Sequence, residues 1–126
     1  MKSPGHQKWP DHKVKESHLS GAAEVKVGGE VIAASDDVIR VDEDGSPARL
    51  YFPRSAVPAG RLEPSATTTR CPFKGTARYF NLRIGDATLG DAVWSYEDPY
   101  EEHDALKGRL AFYSENFPAM NIRTSG

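Results

Sequence analysis

From Glu24 onward, apolar and polar residues alternate with a period of two, the pattern of strands that bury one face. Val25 and Val27 alternate with Glu24 and Lys26, and Val31-Ile32-Ala33-Ala34 follows across Gly28-Gly29. Two glycines between such runs predict a tight hairpin, because the favoured two-residue turn needs positive φ at its centre. Val38–Val41 predicts a third strand. Leu50-Tyr51-Phe52 predicts a fourth, set off by the turn residues Asp44-Gly45-Ser46-Pro47 and stopped by Pro53. Tyr79–Ile84 predicts another, with Phe80, Leu82 and Ile84 on one face and Tyr79, Asn81 and Arg83 on the other. Gly85-Asp86 then turns the chain into a strand over Asp91–Tyr96, and Leu110-Ala111-Phe112-Tyr113 reads as the last strand. Tyr100–Lys107 has no clear period and room for one helical turn. Short strands separated by turn signals predict a mainly β, antiparallel single domain of about seven strands.

Two regions depart from this pattern. Residues 1–22 are polar, with Pro4, Gly5, Pro10 and Gly21, and are expected to form an N-terminal arm in which Trp9 docks on something. The domain is then expected over 23–120, with a C-terminal tail at 121–126. Residues 53–77 contain Pro53, Pro58, Gly60, Pro64, Pro72 and Gly75 and read as a long irregular loop, a length that usually serves function.

Composition narrows the classes. The 126 residues suffice for one domain and are too few for two. Sixteen basic residues (Lys+Arg) against 18 acidic (Asp+Glu) give a formal charge of −2, without the basic excess that nonspecific nucleic-acid binding requires. There is no long apolar run to span a membrane, and Met1–Glu16 has no apolar core of a secretory signal. A lone cysteine, Cys71, forms no internal disulfide and fits a reducing compartment, so a cytoplasmic location is expected.

Candidate chemistry concentrates in two segments. Arg70-Cys71-Pro72-Phe73-Lys74-Gly75 places a thiol between two cations, which favours a thiolate and makes Cys71 a candidate nucleophile. The competing reading is a small buried residue fixing the loop, since no second cysteine is present to resolve an oxidised thiol and His103 is the only histidine beyond the arm. Lys74 is either a ligand-facing ammonium or an ordinary surface charge, and the segment is not a P-loop. Trp94 and Tyr96 share a strand face, as core or as the wall of a ligand pocket. Asp36-Asp37 and Asp42-Glu43-Asp44 are candidates for the metal-sharing carboxylates that nucleotidyl transfer needs. Asp36 and Asp37 are adjacent and point to opposite faces, and Asp42 and Asp44 run straight into a turn. His6, His12 and His18 recur every six residues, a spacing that neither helix nor strand gathers into one site, and Glu101-Glu102-His103-Asp104 reads as a solvated acidic stretch.

The blocks Glu63-Pro64-Ser65, Thr68-Thr69, Cys71-Pro72, Lys74-Gly75, Ala92-Val93-Trp94-Ser95-Tyr96, Asp98-Pro99 and Leu110-Ala111-Phe112-Tyr113 resemble the bacterial and fungal family known as domain of unknown function 427, which also carries a nucleotidyltransferase-like label. The resemblance spans roughly residues 24–117 and implies a β-tent, or Mss4-like, fold. Zinc-bearing relatives of that fold use pairs of Cys-x-x-Cys; this chain has none, so neither a structural zinc nor any other cofactor is expected. The relative in cereblon binds cyclic imides in an aromatic cage, which by analogy of fold points to a pocket here. The expected function is binding of a small polar or anionic metabolite, with Arg54 and Lys74 supplying charge and Tyr79, Trp94 and Tyr96 the wall. The alternatives are an enzyme, acting through Cys71 or as a transferase, and a module that self-associates, as a homodimer, through a sheet edge.

Overall fold

The structure is a computed structural model and describes residues 13–124 together with Gly5, Lys8 and Asp11. Trp9, His6 and His12 lie outside the described residues. Ten strands follow in chain order: β1 (Val14–His18), β2 (Ala23–Val27), β3 (Glu30–Ser35), β4 (Ile39–Glu43), β5 (Arg49–Tyr51), β6 (Leu62–Cys71), β7 (Gly75–Ile84), β8 (Ala87–Tyr96), β9 (Leu110–Phe112) and β10 (Met120–Thr124). They form three antiparallel sheets, ordered β1-β4-β5, β10-β2-β3 and β6-β7-β8-β9. Short 3₁₀ turns at Arg54–Ala56, Ala59–Arg61, Glu101–Leu106 and Ser114–Asn116 complete the described elements.

The β2–β3 hairpin follows its sequence signal: Gly28 and Gly29 sit at φ 57° and 87°, where a side chain would be strained. Elsewhere the strands extend beyond the apolar pattern. Val14–His18, read above as part of the arm, is a strand that pairs with β4 from Val14 opposite Glu43 to His18 opposite Ile39. Lys15, Ser17 and His18 are exposed, and the half-buried face carries one apolar residue, Val14, beside Glu16, so the backbone ladder orders the strand without a hydrophobic period. Residues 62–71, expected to be irregular, form the edge strand β6, and β7 begins at Gly75. Thr67-Thr68-Thr69 supplies β-branched residues, and an edge position tolerates Pro64 because only one side of such a strand needs donors. Residues 120–124, expected largely as tail, add β10 beside β2.

The β6-β7-β8-β9 sheet is covered on both faces. On one, Phe80, Leu82, Val93, Leu110 and Phe112 meet Val25, Ile32 and Ala33 of the β10-β2-β3 sheet. On the other, Ala77, Trp94, Tyr96 and Ala111 meet Ile39, Val41 and Tyr51 of the β1-β4-β5 sheet. Consecutive residues of β8 thus feed two cores: Val93 points into the first, Trp94 into the second. The sheets are joined just past β5, where Phe52 and Leu110 exchange backbone hydrogen bonds of 2.8 Å in both directions.

The outer strand β6 is held in place by an unusual knot. Its register against β7 breaks between Pro64 and Thr68. Opposite this break Asp91 takes φ 53°, a left-handed conformation uncommon for a non-glycine residue. The hydroxyls of Ser65 and Thr67 donate to the two carboxylate oxygens of Asp91, at 2.5 and 2.7 Å, and the Asp91 N–H donates to Asn81 Oδ1 at 3.0 Å. These bonds offset the cost of the strained backbone.

Candidate functional site

The second core opens at one end into a cavity of about 190 Å³ between the β1-β4-β5 sheet and β7-β8. Its wall is built strand by strand. On β4, Ile39, Val41 and Glu43 alternate inward, while Arg40 and Asp42 point out and pair with each other at 3.2 Å. On β5, Arg49 and Tyr51 share the inward face. Tyr79 of β7 stands directly opposite Trp94 of β8, and Tyr96 follows two residues along; Tyr113 closes the far side.

Five aromatic rings therefore line one space: Tyr51, Tyr79, Trp94, Tyr96 and Tyr113. Trp94 is their hub. Its ring stands edge-on to Tyr51 at 6.4 Å and to Tyr113 at 5.5 Å, and tilts against Tyr79 at 6.3 Å. Its indole N–H donates to the Tyr51 hydroxyl at 3.2 Å.

Lys74 enters from the β6–β7 turn. Gly75 makes this entry feasible: its φ is 123°, and a Cβ there would lie 3.3 Å from the carbonyl oxygen of Asp98. The Lys74 carbonyl accepts from the Tyr100 N–H at 3.0 Å, which ties the turn to the segment after β8. Far from being a surface charge, Lys74 is 6 % exposed. Its ammonium donates to Glu43 Oε1 and stands 6.0 Å from the centre of the Tyr96 ring. The second cation, Arg49, lies over Trp94 at 5.3 Å and over Tyr113 at 5.7 Å. One of its nitrogens, Nη1, donates to Glu115 at 2.7 Å. That bond holds the Glu115 carboxyl below its ordinary range.

Of the residues expected from sequence, Lys74, Tyr79, Trp94 and Tyr96 come together around this cavity. Arg54 does not line it. It follows Pro53 in a 3₁₀ turn, lies over Phe80 at 4.9 Å and pairs with Glu97 at 3.5 Å. Cys71 ends β6 half-buried against the second core and is not part of the wall. His103 is buried on the Glu101–Leu106 turn, with Nδ1 3.2 Å from Glu16. Asp44 accepts from the Lys13 N–H at 2.9 Å, and Asp37 receives Arg109 at 3.0 Å. Among the described residues no three His, Cys, Asp or Glu side chains gather closely enough to hold a metal ion. Glu43, Arg49, Tyr51 and Tyr113 were not expected at the site. The available signal was parity, since Glu43 shares a strand face with Val41, and Arg49 with Tyr51.

Burial pushes the Tyr51 and Tyr96 hydroxyls well above their ordinary pKa; for Tyr96 the neighbouring Tyr51 adds to this, and for Tyr51 the Trp94 hydrogen bond partly opposes it. Both bind their protons more tightly folded than unfolded. Their contribution to stability is complete below about pH 10, the ordinary tyrosine value, and is lost as pH rises beyond it. In an alkaline titration, part of the tyrosinate absorbance should appear only together with the loss of circular dichroism. Complete tyrosine ionisation near pH 10 with the fold intact would contradict this burial.

A mainly β domain of antiparallel sheets, with a cavity walled by aromatic rings and bearing two cations and one carboxylate, defines the class of protein. The chain belongs to the family described as Domain of unknown function (DUF427), whose model matches residues 16–124. No curated protein matches the chain. Among the described residues no helix is long and apolar enough to cross a membrane.

Proposed function

We propose that this domain binds a small anionic or polar metabolite in the cavity between β4-β5 and β7-β8. One observation carries the reading: Arg49 and Lys74 reach a single aromatic-walled space in which, among the described residues, Glu43 is the one carboxylate. Glu43 neutralises Lys74, and the Arg49 nitrogens that do not face Glu115 remain to receive an acceptor. A cationic ligand would meet aromatic faces that already carry a guanidinium and an ammonium. An anion with a flat body meets donors at its charged end and rings along its sides.

The size of the space selects for small ligands. A cavity of about 190 Å³ corresponds to roughly six waters at their liquid volume of about 30 Å³ each. A thermal-shift panel of small carboxylates and phosphates at millimolar concentration tests the proposal. At least one member should raise the melting temperature of the native protein, by an amount set by its concentration relative to Kd. Arg49→Ala should abolish that rise. A panel that leaves the native protein unmoved, or a rise that survives in Arg49→Ala, removes the reading.

A further inference from the structure

We infer that Lys74 forms an imine with a small 2-oxo acid whose carboxylate is held by Arg49, a step that rests on the anion-binding reading above. Three observations carry it. First, Lys74 is buried on a cavity wall beside aromatic rings, so its amine is held where a small carbonyl compound in the cavity would meet it. Second, its ammonium donates directly to Glu43, so a proton acceptor is already in place. Third, the other cation lining the same cavity, Arg49, retains donors suited to a carboxylate, and the space is large enough to admit a small 2-oxo acid.

The Lys74–Glu43 pair is also hard to explain as a stabilising device. A buried ion pair gives little net stability compared with apolar residues of the same volume. Its place on a cavity wall, on a turn pinned by Gly75 and by the Tyr100–Lys74 hydrogen bond, suits a positioned amine.

The chemistry balances without a further reagent. Glu43 takes one proton from the Lys74 ammonium. The free amine adds to the carbonyl carbon, and a proton passes from nitrogen to the former carbonyl oxygen, giving a carbinolamine. Glu43 returns its proton to the hydroxyl, which leaves as water while the nitrogen lone pair forms the C=N bond. Ammonium and ketone have become iminium and water, with no change in total charge. Glu43 faces a cation before and after the step.

Reductive trapping tests the inference. The full chain is incubated with pyruvate or glyoxylate and cyanoborohydride, and adducts are mapped by peptide mass spectrometry. Lys74 should carry at least about ten times the adduct of any other lysine, since a held carbonyl reacts at a raised effective concentration. Acetaldehyde, which has a carbonyl and no carboxylate, should show no such preference. Lys74→Arg, which keeps a cation beside Glu43 and removes the amine, should melt close to the native protein and lose the selective adduct. Even labelling of the lysines, or none at Lys74, overturns the imine. If pyruvate raises the melting temperature without a trapped adduct, the imine fails and the anion pocket stands; if it does neither and the wider panel is silent, both fall.

Discussion

Trp94→Ala is expected to cost about 3–5 kcal/mol of stability, the range for deleting a large buried aromatic side chain, and to abolish the proposed anion binding. The ring is 7 % exposed, belongs to the second core and meets Tyr51, Tyr79 and Tyr113. Its removal opens a void between Tyr51, Tyr79 and Tyr113, strips the Tyr51 hydroxyl of its indole donor, and takes away the face on which Arg49 rests. Urea denaturation should show the lower midpoint, and the melting temperature should fall by more than about 10 °C. Trp94→Phe should recover much of the stability, because it restores apolar volume, though the Tyr51 hydroxyl would still lack its donor. A Trp94→Ala variant within about 1 kcal/mol of the native protein would show that the ring is not packed as described.

The second large effect is expected at Glu43. Glu43→Ala leaves the Lys74 ammonium facing an aromatic cavity without its carboxylate. Removing one member of a buried pair typically costs about 3–5 kcal/mol. Glu43 is itself partly exposed, with 18 % of its side chain reaching solvent, so the lower end of that range applies. The double variant Glu43→Leu with Lys74→Met should recover most of the loss, since apolar residues replace the pair and no lone charge remains. Denaturation midpoints of the two single variants and the double variant give the coupling directly. A Glu43→Ala variant as stable as the native protein would mean that the ammonium finds water or another acceptor at no cost.

The parts of this architecture that were legible in the sequence are those where side-chain chemistry and backbone geometry agree. The β2–β3 hairpin is one: alternation on both sides and two glycines between leave no competing reading. Lys74, Trp94 and Tyr96 are another, because a lysine before glycine and two aromatics at strand spacing suit the same kind of site. β1 and β6 were not legible. Val14–His18 is ordered by pairing with β4, and a strand whose inward face holds one apolar residue, Val14, and a charged one, Glu16, writes no hydrophobic period. Pro64 and the surrounding turn-forming residues made Leu62–Cys71 look like loop, whereas an outer strand with a register break admits a proline.

The exchange of Arg54 for Arg49 has the same origin. Both arginines flank the Leu50-Tyr51-Phe52 run, and charge alone does not separate them. Parity does: Arg49 is two residues from the inward Tyr51, whereas Arg54 lies beyond the proline that ends the strand. Glu43 was hidden in a run of three acids. Its neighbours Asp42 and Asp44 are held by Arg40 and by the backbone of Lys13, which leaves Glu43 alone of the three in the cavity wall.

The knot at Asp91 bears on how the protein behaves when crowded. A long, straight outer strand is a template on which other chains grow into fibrils. On β6, Pro64 offers no N–H, and residues 65–67 leave the ladder, with Ser65 and Thr67 bonded to Asp91, so the strand is paired only in two short stretches, Leu62–Pro64 and Thr68–Cys71. A growing aggregate would have to copy that interruption in every added chain. The same aspartate that strains its own backbone thus interrupts the edge on which such growth would start.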